Sequence, residues 1–415
     1  MRLNYKPLGD FIREINVRNF DLAISKVLGV SMEKTFISSV ANLNGVDLSV
    51  YKILKKDQLA CKLMSVGRDE KLPVDLYQEK DPVIVSSAYY VFESMDRDVL
   101  LPEFLFMWLC RPENDRYIGY ISGGDVRGGI SWNAFCNTPI RVPSVSKQRE
   151  IVAEYNVIQN RIKMNNQLIQ KLEETAQAIY KQWFVDFEFP DEHGKPYKSS
   201  GGVMSYNEEL DNEIPKGWEL KTVKEFSMDM KSGGTPNRSE PEFWDFNDIR
   251  WLKTGELRNS VIINSEEYIS QKGLNGSSAK ILPLNSVLIA MYGEGNTKGQ
   301  VGYLRVPSAT NQACCAMICG SEEKSSFLYY HLRINRDDIV SIANGGAQPN
   351  LSKNIIEEIQ IIEPTNEVFT KHPFVEILSL KEKYTLELMR LGKLSDILLS
   401  KLTTVEDMEE DGAVK

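Results

Sequence analysis

The sequence predicts an α+β fold with a pseudo-two-fold internal repeat, in which two β-rich globular heads are separated by two long antiparallel helices. Three observations lead to this fold class. The two halves of the chain share ordered sequence anchors, a long heptad pattern follows each half, and short apolar runs within the halves are separated by glycine-rich turns. The 415 residues suffice for two or three domains, each with its own core.

The internal repeat rests on anchors that recur in the same order. "ISWNAFCNTPIRVPS" at 130–144 aligns with "LSKNIIEEIQIIEPT" at 351–365, and "FLFMWL" at 104–109 aligns with "FLYYHL" at 327–332. The anchors keep nearly constant spacing. They therefore predict a first head at residues 1–145 and a second head at residues 215–365.

A heptad seam predicts a long spacer helix after each head. The first helix spans 146–184, with Ser146 as the expected N-cap, and the second spans 366–404. The seam of the first helix consists of Ile151, Tyr155, Ile158, Ile162, Asn165, Ile169, Leu172, Ala176, Ile179 and Trp183. That of the second has columns at Ile377, Tyr384, Leu391 and Leu398, and at Phe374, Leu388 and Leu402, interrupted by Lys381 and Ser395.

The two seams are expected to pack on each other. The polar positions Asn165, Lys381 and Ser395 would then help fix the register, at some cost in stability. The alternative is that each helix packs only on its own head.

The net charge of −9 is concentrated in two segments, an acidic linker at 185–214 and an acidic tail at 405–415. "VDFEFPDEHGKP" at 185–196 combines charge, proline and glycine, and this composition predicts a solvated linker. An acidic linker and tail neither forbid nor predict a basic surface elsewhere.

The glycine-rich stretch "GEGNTKG" at 293–299 lies between the apolar runs "ILPLNSVLIAM" and "QVGYLRV". It lacks the GxxxxGK[ST] spacing of a phosphate-binding loop, and Lys298 stands where a dinucleotide-binding loop has its third glycine. The segment after it is strand-like rather than helical. The pattern therefore predicts a β-hairpin whose polar tip points outward.

Several other glycine-containing loops carry polar and basic side chains that suit nucleic acid. Arg and Lys match phosphate oxygens and guanine edges, Asn and Gln match adenine edges, and glycine lets backbone amides approach phosphates. The alternative for each single loop is an ordinary surface turn. The candidate contacts are Arg68, Lys71 and Arg127 in the first head, and Ser232, Gly233, Gly234, Thr235, Arg238, Lys253, Thr254, Tyr292, Asn296, Thr297, Lys298, Gln348 and Asn350 in the second.

The sequence offers little for catalysis or for a membrane. Six scattered cysteines and three histidines form no zinc or nucleophile pattern, and no Walker motif is present. No apolar run reaches membrane-spanning length, and the N-terminus lacks the layout of a signal peptide. We therefore expect a cytoplasmic protein with no bound cofactor or metal.

Taken together, these features resemble the DNA-specificity subunits of type I restriction-modification systems. The resemblance is carried by "SGGTPNRSEPEFW", "LPLNSVLIAMYGEGNTKGQVGYL", "IANGGAQPNLSK" and the helix end "AIYKQWFVDFE". The first head departs from the pattern because it has "NVRNFDLAISKVLGVSMEK" in place of an SGGTP stretch. It therefore resembles a second subtype of target-recognition domain.

The resemblance implies that each head reads one half of a bipartite site in double-stranded DNA through the major groove. The helix pair, about 45 Å long at 1.5 Å per residue, would set the number of unread base pairs. Two methylation subunits would dock on the chain, with restriction subunits as further partners. S-adenosylmethionine, ATP and Mg would belong to those partners, and the chain itself would be non-catalytic. Two alternatives stay open, an enzyme with an unrecognised site and a coiled-coil scaffold that binds only proteins.

Overall fold

A computed structural model describes residues 5–39, 43, 45–64, 66–122, 128–244, 248–293, 296–344 and 350–408. The chain divides into two compact units, Met1–Ile162 with Arg390–Lys415 and Lys163–Met389. Each unit contains one head and a part of each long helix.

The first head contains two four-stranded sheets. One has the order β2 (Ile12–Ile15), β9 (Tyr90–Ser94), β6 (Leu59–Cys61), β7 (Val74–Leu76), and the other the order β4 (Phe36–Ser38), β3 (Val27–Val30), β8 (Val83–Val85), β5 (Lys52–Leu54). All neighbouring strands are antiparallel except β3 and β8. A further pair, β1 (Lys6–Pro7) and β10 (Pro139–Ile140), joins the start of the head to its end.

Short helices cover the sheets of the first head: α1 (Val66–Asp69), α2 (Pro102–Leu109), α3 (Pro112–Ile121) and α4 (Trp132–Cys136). Helix α2 contains the repeat anchor "FLFMWL", and most of its side chains are buried. Its Phe104 and Leu105 pack with Leu59, Phe92 and Phe135 in the main core of this unit.

The second head has a five-stranded sheet with the order β14 (Asp229–Ser232), β21 (Cys314–Ile318), β18 (Val287–Ala290), β19 (Val301–Leu304), β16 (Ser260–Ile262). A three-stranded sheet has the order β17 (Glu267–Ile269), β15 (Ile249–Leu252), β20 (Ser308–Thr310). Strands β13 (Glu219–Thr222) and β22 (Gln360–Glu363) join its start to its end, and β11 (Met204–Asn207) pairs with β12 (Asn212–Pro215). The helices are α6 (Val223–Phe226), α7 (Gln271–Asn275), α8 (Glu322–Ile334), α9 (Arg336–Asn344), α10 (Lys353–Glu357) and α11 (Asn366–Phe369).

The internal repeat is visible in the strand order of the heads. The order β2-β9-β6-β7 corresponds to β14-β21-β18-β19, and β4-β3-β8 corresponds to β17-β15-β20, where the pairs β3–β8 and β15–β20 are both parallel. The aligned serines Ser131 and Ser352 both cap a short helix, since each hydroxyl accepts a hydrogen bond from the amide three residues later. The internal repeat therefore extends to the strand order of the heads and is not limited to the few identical residues.

The long helices are α5 (Val145–Tyr180), which ends in a π turn over Lys181–Val185, and α12 (Phe374–Met408). The N-cap prediction for α5 is wrong by two residues. Ser144, and not Ser146, accepts the hydrogen bond from the Lys147 amide, because the helix already begins at Val145.

The two helices pair antiparallel. In the second unit Lys381 forms an ion pair with Glu173 at 2.6 Å, and the Phe374 ring stacks on Tyr180 at 6.4 Å between centroids. In the first unit the Gln159 amide donates to the Ser395 hydroxyl at 3.1 Å. Because the helices contact each other in both units, the alternative that each packs only on its own head is wrong.

The heptad positions lie on the buried side of both helices. Those in the first helix are buried (Ile151, Ile158, Asn165, Ala176) or half-buried (Tyr155, Ile162, Ile169, Leu172, Ile179, Trp183). In the second, Phe374, Ile377, Lys381 and Ser395 are buried, and Tyr384, Leu388, Leu391 and Leu398 are half-buried. The side chain of Leu402 lies outside the described residues.

The predicted polar register positions behave differently from one another. Lys381 and Ser395 each have a partner across the helix pair. Asn165 is fully buried, but neither atom of its amide group has a hydrogen-bond partner within the described part of the chain. Register is therefore specified by Lys381 and Ser395, and not by a hydrogen bond of Asn165.

The prediction of a solvated linker at 185–196 is wrong. Phe187 and Phe189 are buried in the core of the second unit, where the Phe189 ring stacks on Trp218 at 5.2 Å. Among the acidic neighbours, Asp186 and Glu192 are exposed, and Glu188 and Asp191 are half-buried. The free energy of burying these alternating aromatic rings outweighs the preference of the charged neighbours for a flexible chain.

Candidate functional site

In the first head, the segment with the candidate contacts Arg68 and Lys71 and the segment after β2 leave the same end of one sheet. Ile15 at the end of β2 pairs with Val91 near the start of β9, and Cys61 at the end of β6 pairs with Tyr90 and with Val74 at the start of β7. Segments 16–26 and 62–73 therefore both begin at this edge. We call this edge, with the segments that leave it, the loop end of the first head.

The second head has the same arrangement. Ser232 at the end of β14 pairs with Cys315, and Ala290 at the end of β18 pairs with Cys314. The segment that begins at Gly233 and the β18–β19 hairpin tip, described at 291–293 and 296–300, leave this edge, which is the loop end of the second head. The hairpin predicted around "GEGNTKG" is thus present, and its counterpart in the first head is the 62–73 segment.

A third candidate segment joins each loop end through the same backbone hydrogen bond. The amide of Ile130 donates to the carbonyl of Leu63 at 3.1 Å, and the amide of Leu351 donates to the carbonyl of Met291 at 2.9 Å. Ile130 and Leu351 are aligned positions directly before the capping serines. Each head therefore brings together the loops that the sequence singles out.

The predicted contact residues of the first head are only partly described. Lys71 is exposed on the 62–73 segment, and the backbone of Arg68 lies in α1. The Arg68 side chain and the whole of Arg127 lie outside the described residues, as does Gln348 in the second head. Asn350 is described and exposed.

The glycine pair of the second head has a packing role. A Cβ atom at Gly233 would overlap the backbone of Thr310 and Asn311, and one at Gly234 would overlap Ser278 and Ala279. The Gly234 amide donates to the Thr310 carbonyl at 2.8 Å, and the Gly234 carbonyl accepts from the Trp251 indole at 2.9 Å. This backbone amide is thus already used within the protein.

Two predicted cations, Arg238 and Lys253, share one carboxylate. Arg238 contacts Glu267 at 2.5 Å, and Lys253 contacts Glu267 at 2.9 Å and Glu266 at 3.3 Å. Burial alone would raise the pKa of Glu267, but the hydrogen bonds from Arg238 and Lys253 lower it below its ordinary value. The Arg238 guanidinium also lies 3.7 Å from the centre of the Trp244 ring.

The hairpin tip is braced from α9. The Arg336 guanidinium donates to the backbone carbonyls of Asn296 at 2.8 Å and Lys298 at 2.7 Å. Tyr292 and Asn296 are exposed, and the side chains of Thr297 and Lys298 are half-buried. Sequence reasoning missed Arg336 and Glu267 because both act on loops that are distant in sequence.

The other predicted contacts of the second head lie close to these loops. The Thr235 hydroxyl donates to the Gln312 amide oxygen at 2.5 Å, which ties the segment after β14 to the turn before β21. Ser232 is exposed at the end of β14, and Thr254 begins a short 3-10 turn after β15. The arrangement offers hydrogen-bonding groups and cations on loops that are held by backbone contacts.

Two heads with a common strand order, each with polar loops gathered at one sheet end, together with an antiparallel helix pair, define a two-headed recognition protein. No described helix is long and apolar enough to cross a membrane. The comparisons with known proteins agree with this class.

Residues 215–398 match the family model described as type I restriction modification DNA specificity domain. The chain is 26% identical to the type I restriction enzyme HindI specificity subunit of Haemophilus influenzae, over 96% of this chain and 98% of that protein. It is 27% identical to the MjaIX specificity subunit of Methanocaldococcus jannaschii, over 78% and 72%. The crystal structure of the S subunit from M. genitalium covers 97% of this chain, and 96% of that chain is covered, with a TM-score of 0.58 at 15% identity, which shows a shared fold. Residues 215–398 thus match the DNA specificity domain, and the chain is similar over nearly its whole length to a type I restriction enzyme specificity subunit.

Proposed function

We propose that this chain is the DNA specificity subunit of a type I restriction-modification complex. Each head is a target-recognition domain that reads one half of a bipartite site in double-stranded DNA. The helix pair sets the number of unread base pairs and offers docking surfaces to two methylation subunits. The observation that carries the proposal is the repeated loop end, in which the same strand order and the same backbone hydrogen bond hold different loop sequences in the two heads.

The chemistry of the loop ends supports base and phosphate contacts. Lys71 in the first head and Lys253 in the second suit phosphate oxygens or guanine edges, and Asn296 and Asn350 suit adenine edges. Methyl transfer is assigned to the methylation subunits, which would use S-adenosylmethionine. ATP and Mg would serve the restriction subunits, where these join the complex.

The first experiment tests the function as a whole. The chain is co-expressed with its methylation subunits in a host that lacks other methyltransferases, and methylated bases are mapped by sequencing. We expect one bipartite motif with a fixed gap. Methylation that is absent, or that has no bipartite motif, would contradict the proposal and favour a scaffold that binds only proteins.

The second experiment tests the helix pair as a spacer. One heptad is inserted after Leu172 in α5 together with one after Lys381 in α12, so that the seam is preserved. We expect a changed gap between unchanged half-sites. As a control, the same seven residues are inserted in the exposed turn at Gly194, where the gap should stay the same. An unchanged gap in the paired helix insertion would remove the spacer role.

The third experiment addresses the hairpin tip. Lys298→Ala is expected to weaken binding to all sequences and to reduce the slope of log affinity against log salt by about 0.9, as for the loss of one phosphate contact. Gln348→Ala is expected instead to relax the preference at one half-site. Lys195→Ala, in the exposed turn before Pro196, is the control. A salt slope equal to that of the wild type would exclude the phosphate role of Lys298.

A further inference from the structure

The first head exposes an apolar element on its loop end that none of the polar contact candidates includes. Segment 17–22 follows β2 directly. Phe20 is 76% exposed, Leu22 is 58% exposed and Val17 is 49% exposed. Single exposed apolar residues are ordinary, whereas here three of the six residues in one short loop are exposed and apolar.

The loop is held rigidly in this exposed position. Asn19 is fully buried, its amide group donates to the Ile24 carbonyl at 2.8 Å and its amide oxygen accepts from the Ile24 backbone at 3.2 Å. The Asn19 backbone donates to the Tyr51 carbonyl at 3.0 Å and accepts from the Leu22 amide at 2.9 Å. These hydrogen bonds hold the backbone of the loop that carries the exposed apolar side chains.

The backbone conformation at Leu22 is unusual. Its φ is +55°, a left-handed conformation that a leucine rarely adopts. Such conformations persist where the surrounding structure holds them, and they cluster at binding sites. Here the Asn19 hydrogen bonds hold the turn, in which an exposed leucine follows an exposed phenylalanine by two residues.

The corresponding segment of the second head carries different side chains. Segment 233–248 also follows the first strand of the main sheet, but its Arg238 stacks on Trp244 and pairs with Glu267. The two heads therefore present a charged element and an apolar element at equivalent places. Different chemistry at equivalent places is what two different half-sites require.

We propose that Phe20 and Leu22 form an apolar reading element of the first head, which contacts the C5-methyl group of a thymine in the major groove. The methyl group is the apolar feature that distinguishes base edges in that groove. The element leaves the same sheet edge as segment 62–73, which carries Lys71 and the backbone of Arg68. One duplex at this loop end would meet the basic and the apolar segments together. This inference rests on the proposed function.

The test combines a protein change with a DNA change. The chain in complex with its methylation subunits is titrated with duplexes that carry the mapped bipartite site. Each thymine of both half-sites is replaced in turn by deoxyuridine, which removes only the methyl group. For the wild-type complex we expect about fourfold weaker binding at one position, which corresponds to the transfer free energy of one methyl group.

The variants are Phe20→Ala and Phe20→Leu, with Met95→Ala as the matched control. Met95 is 47% exposed and follows β9 at the opposite end of the same sheet. Phe20→Ala should weaken binding by about tenfold or more and abolish the response to deoxyuridine at that position. Phe20→Leu should restore the binding affinity and the deoxyuridine response in part, and Met95→Ala should change neither quantity.

The outcomes separate the possible explanations. Binding and deoxyuridine response that are unchanged in Phe20→Ala would overturn the inference while leaving the proposed function intact. So would the absence of any thymine at which deoxyuridine weakens wild-type binding. Loss of assembly with the methylation subunits in Phe20→Ala, measured by gel filtration, would identify a protein-docking element instead. Failure of the wild-type complex to bind any bipartite duplex would contradict the proposed function itself.

Discussion

Replacing Glu173 by Gln should destabilise the second unit far more than the same change at its neighbour Glu174. Glu173 lies in the helix seam, where its carboxylate contacts Lys381 at 2.6 Å and Arg333 at 2.5 Å. The side chains of Glu173 and Lys381 are 11% and 4% exposed. The carboxylate therefore joins α5, α12 and α8 in a buried ionic cluster.

The size of the destabilisation by Glu173→Gln depends on the buried positive charge that the change leaves unpaired. A buried ion pair contributes little net stability relative to apolar residues of the same shape, but removal of one partner leaves a buried charge unpaired and costs about 3–5 kcal/mol. Glutamine can still accept a hydrogen bond from Lys381, so we expect about 3 kcal/mol, at the lower end of that range. With a urea m-value of about 3 kcal/mol/M, the midpoint would shift by about 1 M.

Glu174 is the matched control on the same turn of the helix. Its side chain is 49% exposed and pairs with Lys171, which is 75% exposed. Exposed pairs of this kind contribute little, so Glu174→Gln should leave the midpoint unchanged. Equal midpoints for the two variants, or a shift for Glu173→Gln below about 0.3 M, an order-of-magnitude limit, would refute the view that this cluster holds the helices to α8.

Three further predictions concern the second unit. Gly234→Ala should lower stability by about 1–3 kcal/mol, because its Cβ would overlap Ser278 and the Ala279 backbone. Gly255→Ala should not, because its Cβ would lie in open space, and thermal unfolding compares the two variants. Glu267→Gln should release Arg238 and Lys253 for phosphate contacts, so that non-specific DNA binding tightens and its log–log salt slope steepens by about 0.9; an unchanged slope would contradict this. Burial lowers the pKa of His331 to about 4, so below about pH 6.5 a proton binds His331 in the unfolded chain before it binds the folded chain. The free energy of unfolding should therefore fall by about 3 kcal/mol between pH 6.5 and 4. Urea unfolding of His331→Gln should show a flatter pH dependence.

The sequence predicts the large features of this fold because they rest on periodicity. The heptad positions Ile151 and Ile377 are buried, and the hairpin around the glycine-rich tip is present, since both patterns follow directly from which face of an element meets a core. The aligned serines Ser131 and Ser352 cap equivalent helices for a similarly local reason.

The missed features depend on contacts between segments that are far apart in sequence. Phe187 and Phe189 read as part of an acidic linker because the core that buries them is formed by Trp218 and other residues of the second unit. Likewise Glu267 and Arg336 take their roles from the loops that tertiary structure brings to them. No local pattern carries that information.

The shared loop end explains how one framework can hold two different reading surfaces. The bonds that fix the third segment to the sheet, Ile130 to Leu63 and Leu351 to Met291, join backbone groups only. Backbone hydrogen bonds do not depend on side-chain identity, so residues beyond them can change without moving the segment. In the segment after the first strand of the main sheet, Phe20 is exposed in the first head and Arg238 pairs with Glu267 in the second. Specificity can therefore diverge between the heads while the scaffold that presents the loops stays the same.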